Sequence, residues 1–203
     1  MSEEKLSKKE LIIKHARASF SKYGYELTTL DAIAKECLIT KPAIYYHFKD
    51  KATLYKAVVC PEFTAIATKI EQNTQQGTPL ERIQSYVETF GEFLINHPDF
   101  SAIFAREIAN GAVTIPNDCI KQLSRTLKQL INILDDGEKE GIFQKEEPFL
   151  IQMMIVTTLT SYNTSKPLRE RIAHVIDTQN AQEPNFQNII KSLYEKIKKG
   201  LIC

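Results

Sequence analysis

Residues 28–51, TTLDAIAKECLITKPAIYYHFKDK, constrain the fold more than any other stretch. Thr29 is placed to cap a helix from Leu30 to Cys37, because its hydroxyl oxygen can accept an orphan amide of the first turn. Thr40 caps a second helix from Lys41 to Phe48, and Pro42 falls in its first turn, where a missing N–H does no harm. Leu38 and Ile39 make the turn between them. Ile33 and Ala34 face inward on the first helix; Ile44 and Phe48, at i and i+4, share the buried face of the second. The small Ala34 suits a steep crossing, with Ile39 plugging the angle. Two short helices joined this tightly read as a helix-turn-helix.

A helix over residues 7–23 precedes the pair. Ser7 and Glu10 have capping-box spacing. Ile12, Ile13, Ala16, Phe20 and Tyr23 form one apolar face, and Gly24 supplies the positive φ that ends the helix. Residues 1–51 carry 10 Lys/Arg against 7 Asp/Glu, a net of +3, while the remainder carries 16 against 18, a net of −2. The excess is modest, and it gains meaning only from its place beside the helix pair. Helix N-terminal amides and threonine hydroxyls suit phosphate oxygens. The short Pro42 and Ala43 allow close approach to bases and thymine methyls, and tyrosine and lysine side chains can clamp the flanking backbone. Singly, each residue also reads as an ordinary cap, a half-buried aromatic or a solvated charge. Jointly they place the second helix of the pair in the DNA major groove.

The run Ile12, Ala16, Phe20, Gly24, Thr28, Thr29, Ile33, Ala34, Ile39, Thr40, then Ile44 through Lys51 and Leu54, resembles the DNA-binding domain of the tetracycline-repressor (TetR) family over about residues 8–56. The resemblance implies an all-helical protein that binds a palindromic operator as a homodimer. It implies a DNA-binding domain over residues 1–52 and a ligand-sensing and dimerisation domain over 53–203. By matching positions, Thr29 contacts phosphate, and Lys41, Pro42, Ala43 and Tyr45 face the groove, with Thr40, the cap of that helix, counted among the DNA-binding residues. Tyr46 and His47 contact the backbone, and Lys51 reaches phosphate from the start of the fourth helix. Leu38 departs from the pattern, since the family usually has glycine in that turn. A leucine there is strained if φ is positive.

The fourth helix is expected from Lys51 to about Asn73, with a kink or break near Ala57–Cys60 caused by Pro61. That proline is either a hinge between domains or a plain helix boundary. Further helices are expected over Leu80–Asn96, Asp99–Asn110, Pro116–Lys139, Phe149–Thr164, Pro167–Val175 and Phe186–Leu201, with a polar loop over residues 177–185. Phe186, Ile189, Ile190, Leu193 and Ile197 form a clean stripe on the last helix, expected to meet its copy in a second subunit; core packing is the competing account. An effector pocket needs an apolar cavity with a few polar groups. Its candidates are Tyr86, Phe90, Phe93, Phe104, Arg106, Glu107, Met153, Met154, Thr157 and Tyr162; most of them also read as plain core, and Arg106 and Glu107 as a surface or interdomain salt bridge. With no clustered charges among them, a small neutral or apolar effector is favoured.

The 203-residue chain is 43% hydrophobic with only 7 Gly and 8 Pro, which fits a helical protein with a real core and speaks against loop-rich β architectures. No signal-peptide core or membrane-length apolar run is present in it, so a cytoplasmic protein is the expectation. Cys37, Cys60, Cys119 and Cys203 match no zinc or CxxC spacing and read as incidental thiols. The four histidines lack metal-type spacing, and neither cofactor nor metal is expected. No GxSxG, HExxH, GxGxxG or P-loop occurs, which argues against an enzyme. The expected function is a ligand-controlled transcriptional repressor. Regulation by a protein partner or by thiol oxidation of Cys60 or Cys119 is the alternative.

Overall fold

The structure, a computed structural model of the chain, describes residues 6–176 and 185–202. Among them ten helices follow in order: α1 (Lys8–Leu27), α2 (Leu30–Glu36), α3 (Lys41–His47), α4 (Lys51–Asn73), α5 (Pro79–Asn96), α6 (Pro98–Ala109), α7 (Asn117–Lys139), α8 (Pro148–Thr164), α9 (Lys166–Ile176) and α10 (Phe186–Leu201). The fold is all-α, as expected. Residues 177–184, most of the anticipated polar loop, and Cys203 lie outside the described residues.

Local chemistry sets the helix ends. The Ser7–Glu10 capping box forms on α1, and Thr78 with Glu81 forms a second one on α5, satisfying orphan amides reciprocally. Gly24, at φ 77° and ψ 176°, breaks α1 where the sequence places its end, and one more turn carries the chain to Leu27. Thr28 is buried and its hydroxyl donates to the Gly24 carbonyl at 2.7 Å, closing that turn.

Helix α4 runs along both the N-terminal trio and the larger C-terminal bundle. The break anticipated near Ala57–Cys60 does not occur: α4 is unbroken through Pro61. Pro61 lies on the exposed side of the helix, where its ring meets solvent and the Ala57 carbonyl it deprives of a partner is not sealed in the core. The inner side carries Leu54, Tyr55, Val58, Val59, Phe63, Ile66 and Ile70, all buried. Helix α7 packs along it. Arg125 holds Glu71 with Nε at 2.8 Å, Lys56 pairs with Asp118, and a disulfide joins Cys60 to Cys119 across a Cα–Cα distance of 4.9 Å. The reading of these two cysteines as incidental is therefore corrected; a pairing between positions so far apart in the chain leaves no local pattern. Cys37 is free and buried.

Two glycines permit close helix approaches. A Cβ on Gly91 of α5 would lie 2.4 Å from the Ile190 side chain of α10. One on Gly137 of α7 would lie 1.9 Å from the Phe143 ring. The first contact explains why the α10 stripe turns inward. Ile190, Leu193 and Ile197 are buried within the subunit, while Phe186 and Ile189 are half-buried. The outward face of α10 carries Lys191, Ser192, Glu195, Lys196 and Lys199. Core packing accounts for the stripe, and the expected subunit contact through Ile190, Leu193 and Ile197 is corrected accordingly. Apolar side chains that α8 and α9 do expose include Phe149, Leu150 and Met153 on the first and Leu168, Ile172, Val175 and Ile176 on the second. No residue of α9 is buried. No described helix is long and apolar enough to cross a membrane.

Candidate nucleic-acid interface

Helices α2 and α3 are seven residues each and owe their angle to a turn with strained geometry. Leu38 adopts φ +55° and is 93% exposed, so the strain expected from its departure is present and no apolar contact offsets it. The Ile39 amide donates to the Ala34 carbonyl at 3.0 Å and the Leu38 amide to the Lys35 carbonyl at 3.1 Å, which holds the turn. Ile33, Ala34, Ile44 and Phe48 fill the angle behind it.

The candidate DNA-contacting side chains divide into three groups. Thr29 caps α2 by accepting from the Ala32 amide at 3.1 Å, so its oxygen is already engaged in the helix. Thr40 is exposed and makes no side-chain cap bond, which leaves its hydroxyl available beside the α3 N-terminus. Pro42, Tyr45 and Tyr46 are exposed, with Tyr45 at 49% and Tyr46 at 86%, while Lys41, Ala43 and His47 are half-buried on the same short helix. The Lys41 ammonium sits 2.7 Å from Asp31 of α2. That hydrogen bond, with the carboxylate charge, holds the lysine above its ordinary pKa and therefore charged. The pair is exposed, so a phosphate can compete for it.

Lys51 behaves differently from its expected role. Its ammonium donates to the carbonyls of Tyr25 at 2.9 Å, Thr28 at 3.2 Å and Glu26 at 3.3 Å, and lies 4.3 Å from the Tyr25 ring centroid. Carbonyls at a helix end and an aromatic face are both sites that attract a cation. Lys51 thus binds the end of α1 to the start of α4 and is not turned outward to phosphate.

Sequence reasoning gave Arg106 and Glu107 an interdomain role as one alternative but missed their partners and the Arg17–Glu62–His97 cluster that fastens this unit to the bundle. Glu62 is buried on α4 and accepts from Arg17 of α1 at 2.9 Å and pairs with His97, at the α5–α6 junction, at 2.7 Å. The His97 ring stacks on Phe93 at 4.0 Å. Arg106 of α6, expected in an effector pocket, is exposed and donates to the α1 carbonyls of Lys22 at 3.0 Å and Ser21 at 3.4 Å. The Tyr55 hydroxyl of α4 donates to Glu107 of α6, and burial followed by the Glu107 hydrogen bond pushes its pKa far above the usual tyrosine value. A signal was available: Glu62 and Glu107 each interrupt an otherwise apolar helical stripe.

The remaining pocket candidates are not brought together. Tyr86, Phe90, Phe93 and Phe104 are buried core residues. The Tyr86 hydroxyl lies 2.8 Å from Gln152 Oε1 and 3.2 Å from the Thr126 carbonyl, which share its one proton, and burial pushes its pKa up to about 12. Met153 is 48% exposed on the far side of α8. Met154 packs half-buried against the core, and Thr157 bonds the Met153 carbonyl at 2.5 Å. Tyr162 stacks on Phe186 at 5.8 Å with Arg169 over its ring.

An all-helical chain with an exposed third helix at one end and a helical bundle behind it defines a helix-turn-helix DNA-binding transcriptional regulator. The family model for bacterial regulatory proteins of the tetR family matches residues 12–58, and that for the C-terminal region of YcdC-like proteins matches residues 63–202. The chain belongs to the tetR family. It is similar to the uncharacterized HTH-type transcriptional regulator YhgD of Bacillus subtilis (strain 168), 25% identical over 199 residues and 97% of each chain. It is also similar to IcaR, the HTH-type negative transcriptional regulator of the biofilm operon icaADBC in Staphylococcus aureus (strain Newman). That match is 47% identical over 51 residues, 25% of this chain and 27% of IcaR. Among solved structures, the transcriptional regulator FadR from Bacillus subtilis in complex with stearoyl-CoA aligns with a TM-score of 0.72 at 18% identity, over 94% of this chain and 98% of that one.

Proposed function

We propose that this regulator is a repressor that binds a palindromic operator as a homodimer and is released by a small effector. The observation that carries the DNA-contacting assignment is the exposed surface of α3, where Thr40, Lys41, Pro42, Ala43, Tyr45, Tyr46 and His47 share one short helix beside the positive end of its dipole. Repression is supported by the likeness of the N-terminal region to the negative regulator IcaR. Effector control is supported by the shared fold with FadR, whose structure holds stearoyl-CoA. The exposed Phe149, Leu150 and Met153 of α8 with Leu168, Ile172 and Val175 of α9 offer the apolar surface a second subunit needs. The Arg17–Glu62–His97 cluster and Arg106 join α1 to the bundle, so a ligand that favours one packing of α4–α6 acts on the spacing of the two α3 helices through its differential affinity. A genome-wide binding map tests the reading. It predicts palindromic sites with half-sites about 34–36 Å apart or a multiple of that. Sites without two-fold symmetry, or a monomer by light scattering, refute it.

A second reading, control by thiol oxidation, is favoured by the Cys60–Cys119 disulfide. Cys60 is half-buried and lines an open groove along α4, while Cys119 is fully buried beneath it. A hydroperoxide converts the Cys60 thiolate to a sulfenic acid and leaves as water or an alcohol. The Cys119 sulfur then displaces the sulfenic oxygen, which also leaves as water, completing a two-electron oxidation. The bond fixes α4, which carries the DNA-binding trio, to α7 one turn from the Lys56–Asp118 pair. Operator affinity that differs between reduced and oxidised wild type, and no longer differs in Cys60→Ser, supports this reading. Equal affinities in both states exclude it.

A further inference from the structure

The two sulfurs of the Cys60–Cys119 disulfide are not equivalent. Cys119 is fully buried in the first turn of α7. Cys60 is half-buried and lines the groove along the outer side of α4. A thiolate attacks the disulfide sulfur it can reach and expels the other. Access therefore selects Cys60 as the sulfur attacked and Cys119 as the one that leaves. The departing sulfur lies in the N-terminal turn of a 23-residue helix, whose dipole favours a thiolate until it takes up a proton. Cys37, the other described cysteine, is 5% exposed, and burial raises its thiol pKa, so it offers no competing thiolate.

The groove selects the incoming thiol. It measures about 950 Å³, room for a molecule the size of a small peptide. Ala57, Pro61 and Ala65 give it an apolar floor, and Lys9, Lys56 and Lys69 line it with no Asp or Glu among them. Asp118 pairs with Lys56 from outside the groove. Lys9 and Lys69 lie 6.0 Å and 5.6 Å from the Phe48 and Phe93 ring centroids, and among the described residues no carboxylate holds either. A cationic groove of this kind draws in a thiol with free carboxylates and repels one that carries an ammonium.

We infer that Cys60 is an S-thiolation site for a small anionic thiol of the cysteinyl-peptide class. The incoming thiolate bonds to Cys60 Sγ as the Cys60–Cys119 bond breaks. The electron pair leaves on Cys119 Sγ, which is then protonated. The products are a mixed disulfide on Cys60 and a free Cys119 thiol, with no outside oxidant. The adduct brings negative charge into a groove that also holds Lys9 of α1 and His47 at the end of α3, and it unfastens α4 from α7. Both effects oppose DNA binding, the first by repelling phosphate. That consequence rests on the redox reading above; the exchange itself does not.

The test uses the oxidised full chain at low salt and three probes matched in thiolate concentration: anionic glutathione, neutral mercaptoethanol and cationic cysteamine. Free thiols are alkylated at timed intervals and adducts are located by peptide mass mapping. The adduct is expected on Cys60 and the alkyl label on Cys119. Glutathione should react faster than cysteamine by on the order of threefold, with the gap closing at high salt and in the Lys9→Gln, Lys69→Gln double variant. The freed Cys119 can displace the adduct again, so Cys119→Ser is also treated with glutathione disulfide. Its Cys60 thiolate should take one glutathionyl group and release one glutathione, whereas Cys60→Ser should leave Cys119 unmodified. If a serine variant fails to fold, the wild-type map carries the test. An adduct on Cys119, cysteamine as fast as glutathione, or no adduct on Cys60 in any folded form each overturn the site. Cys60 adducts that leave operator affinity unchanged keep the site standing and sink only its regulatory role.

Discussion

Replacing Leu38 by glycine should stabilise the protein, against the usual expectation for losing a leucine. Leu38 holds φ +55°, where an L-residue other than glycine costs about 1–2 kcal/mol because its Cβ crowds the following carbonyl. Its side chain is 93% exposed, so truncation forfeits almost no buried area. Glycine gives back about 0.4–1 kcal/mol through the greater freedom of the unfolded chain. The balance is a gain of roughly 0.5–1 kcal/mol, which for a chain of this size raises the melting midpoint by about 1–4 °C. Urea unfolding with an unchanged m-value is the assay. Leu38→Ala serves as the control: it removes the same exposed atoms, keeps the strained backbone, and should be close to neutral. If Leu38→Gly is less stable than wild type while Leu38→Ala is neutral, the turn is not held at positive φ and the reasoning fails.

Three further outcomes follow from named contacts. Gly137→Ala and Gly91→Ala place a methyl group against Phe143 and Ile190 and should each lower stability by about 1–3 kcal/mol in calorimetry, whereas Gly200→Ala, which meets nothing, should not. Glu62→Ala strips the partner from Arg17 and His97 and should cost about 1–3 kcal/mol, with amide exchange quickening in both α1 and α6; quickening confined to α4 would show that the cluster does not join the two regions. Hydrogen bonds from Arg125, Lys56 and Arg82 hold Glu71, Asp118 and Asp136 below the ordinary carboxylate pKa. The unfolded chain takes up those protons more readily, so stability should be steady above the ordinary carboxylate range and fall as pH drops through and below it. A urea midpoint that rises on acidification across that range contradicts the assignment.

The DNA-binding end was legible because its signals are local. Thr29, Pro42, Gly24 and the Ser7–Glu10 box act within a turn of where they stand, and the structure places each helix start near the residue that announces it. Leu38 was legible even as an exception, since φ > 0 is a property of one position. The errors came where distant partners decide. Pro61 looked like a break, but its exposed side and the extensive packing of α4 on α7 let the helix continue. The α10 stripe has the same periodicity whether it faces its own core or a second subunit, and only Gly91 against Ile190 settles its direction. Lys51 reads as a basic residue near DNA until three carbonyls are folded around it. The joint between the two regions depends on pairings of residues far apart in sequence, Arg17 with Glu62 and Tyr55 with Glu107. A buried acid in an apolar stripe was the trace they left.

Operator affinity across the α3 surface tests the central claim most directly. Lys41→Ala and Tyr45→Ala, both confirmed folded by circular dichroism, are compared with wild type on the mapped operator and on unrelated DNA over a range of salt. Tyr45 is half-exposed on α3, so its loss should weaken specific binding by about 1–3 kcal/mol while nonspecific binding holds. Lys41 should weaken both and reduce the salt slope by about one. Unchanged specific affinity in both folded variants would contradict the assignment of α3 as the helix that reads DNA.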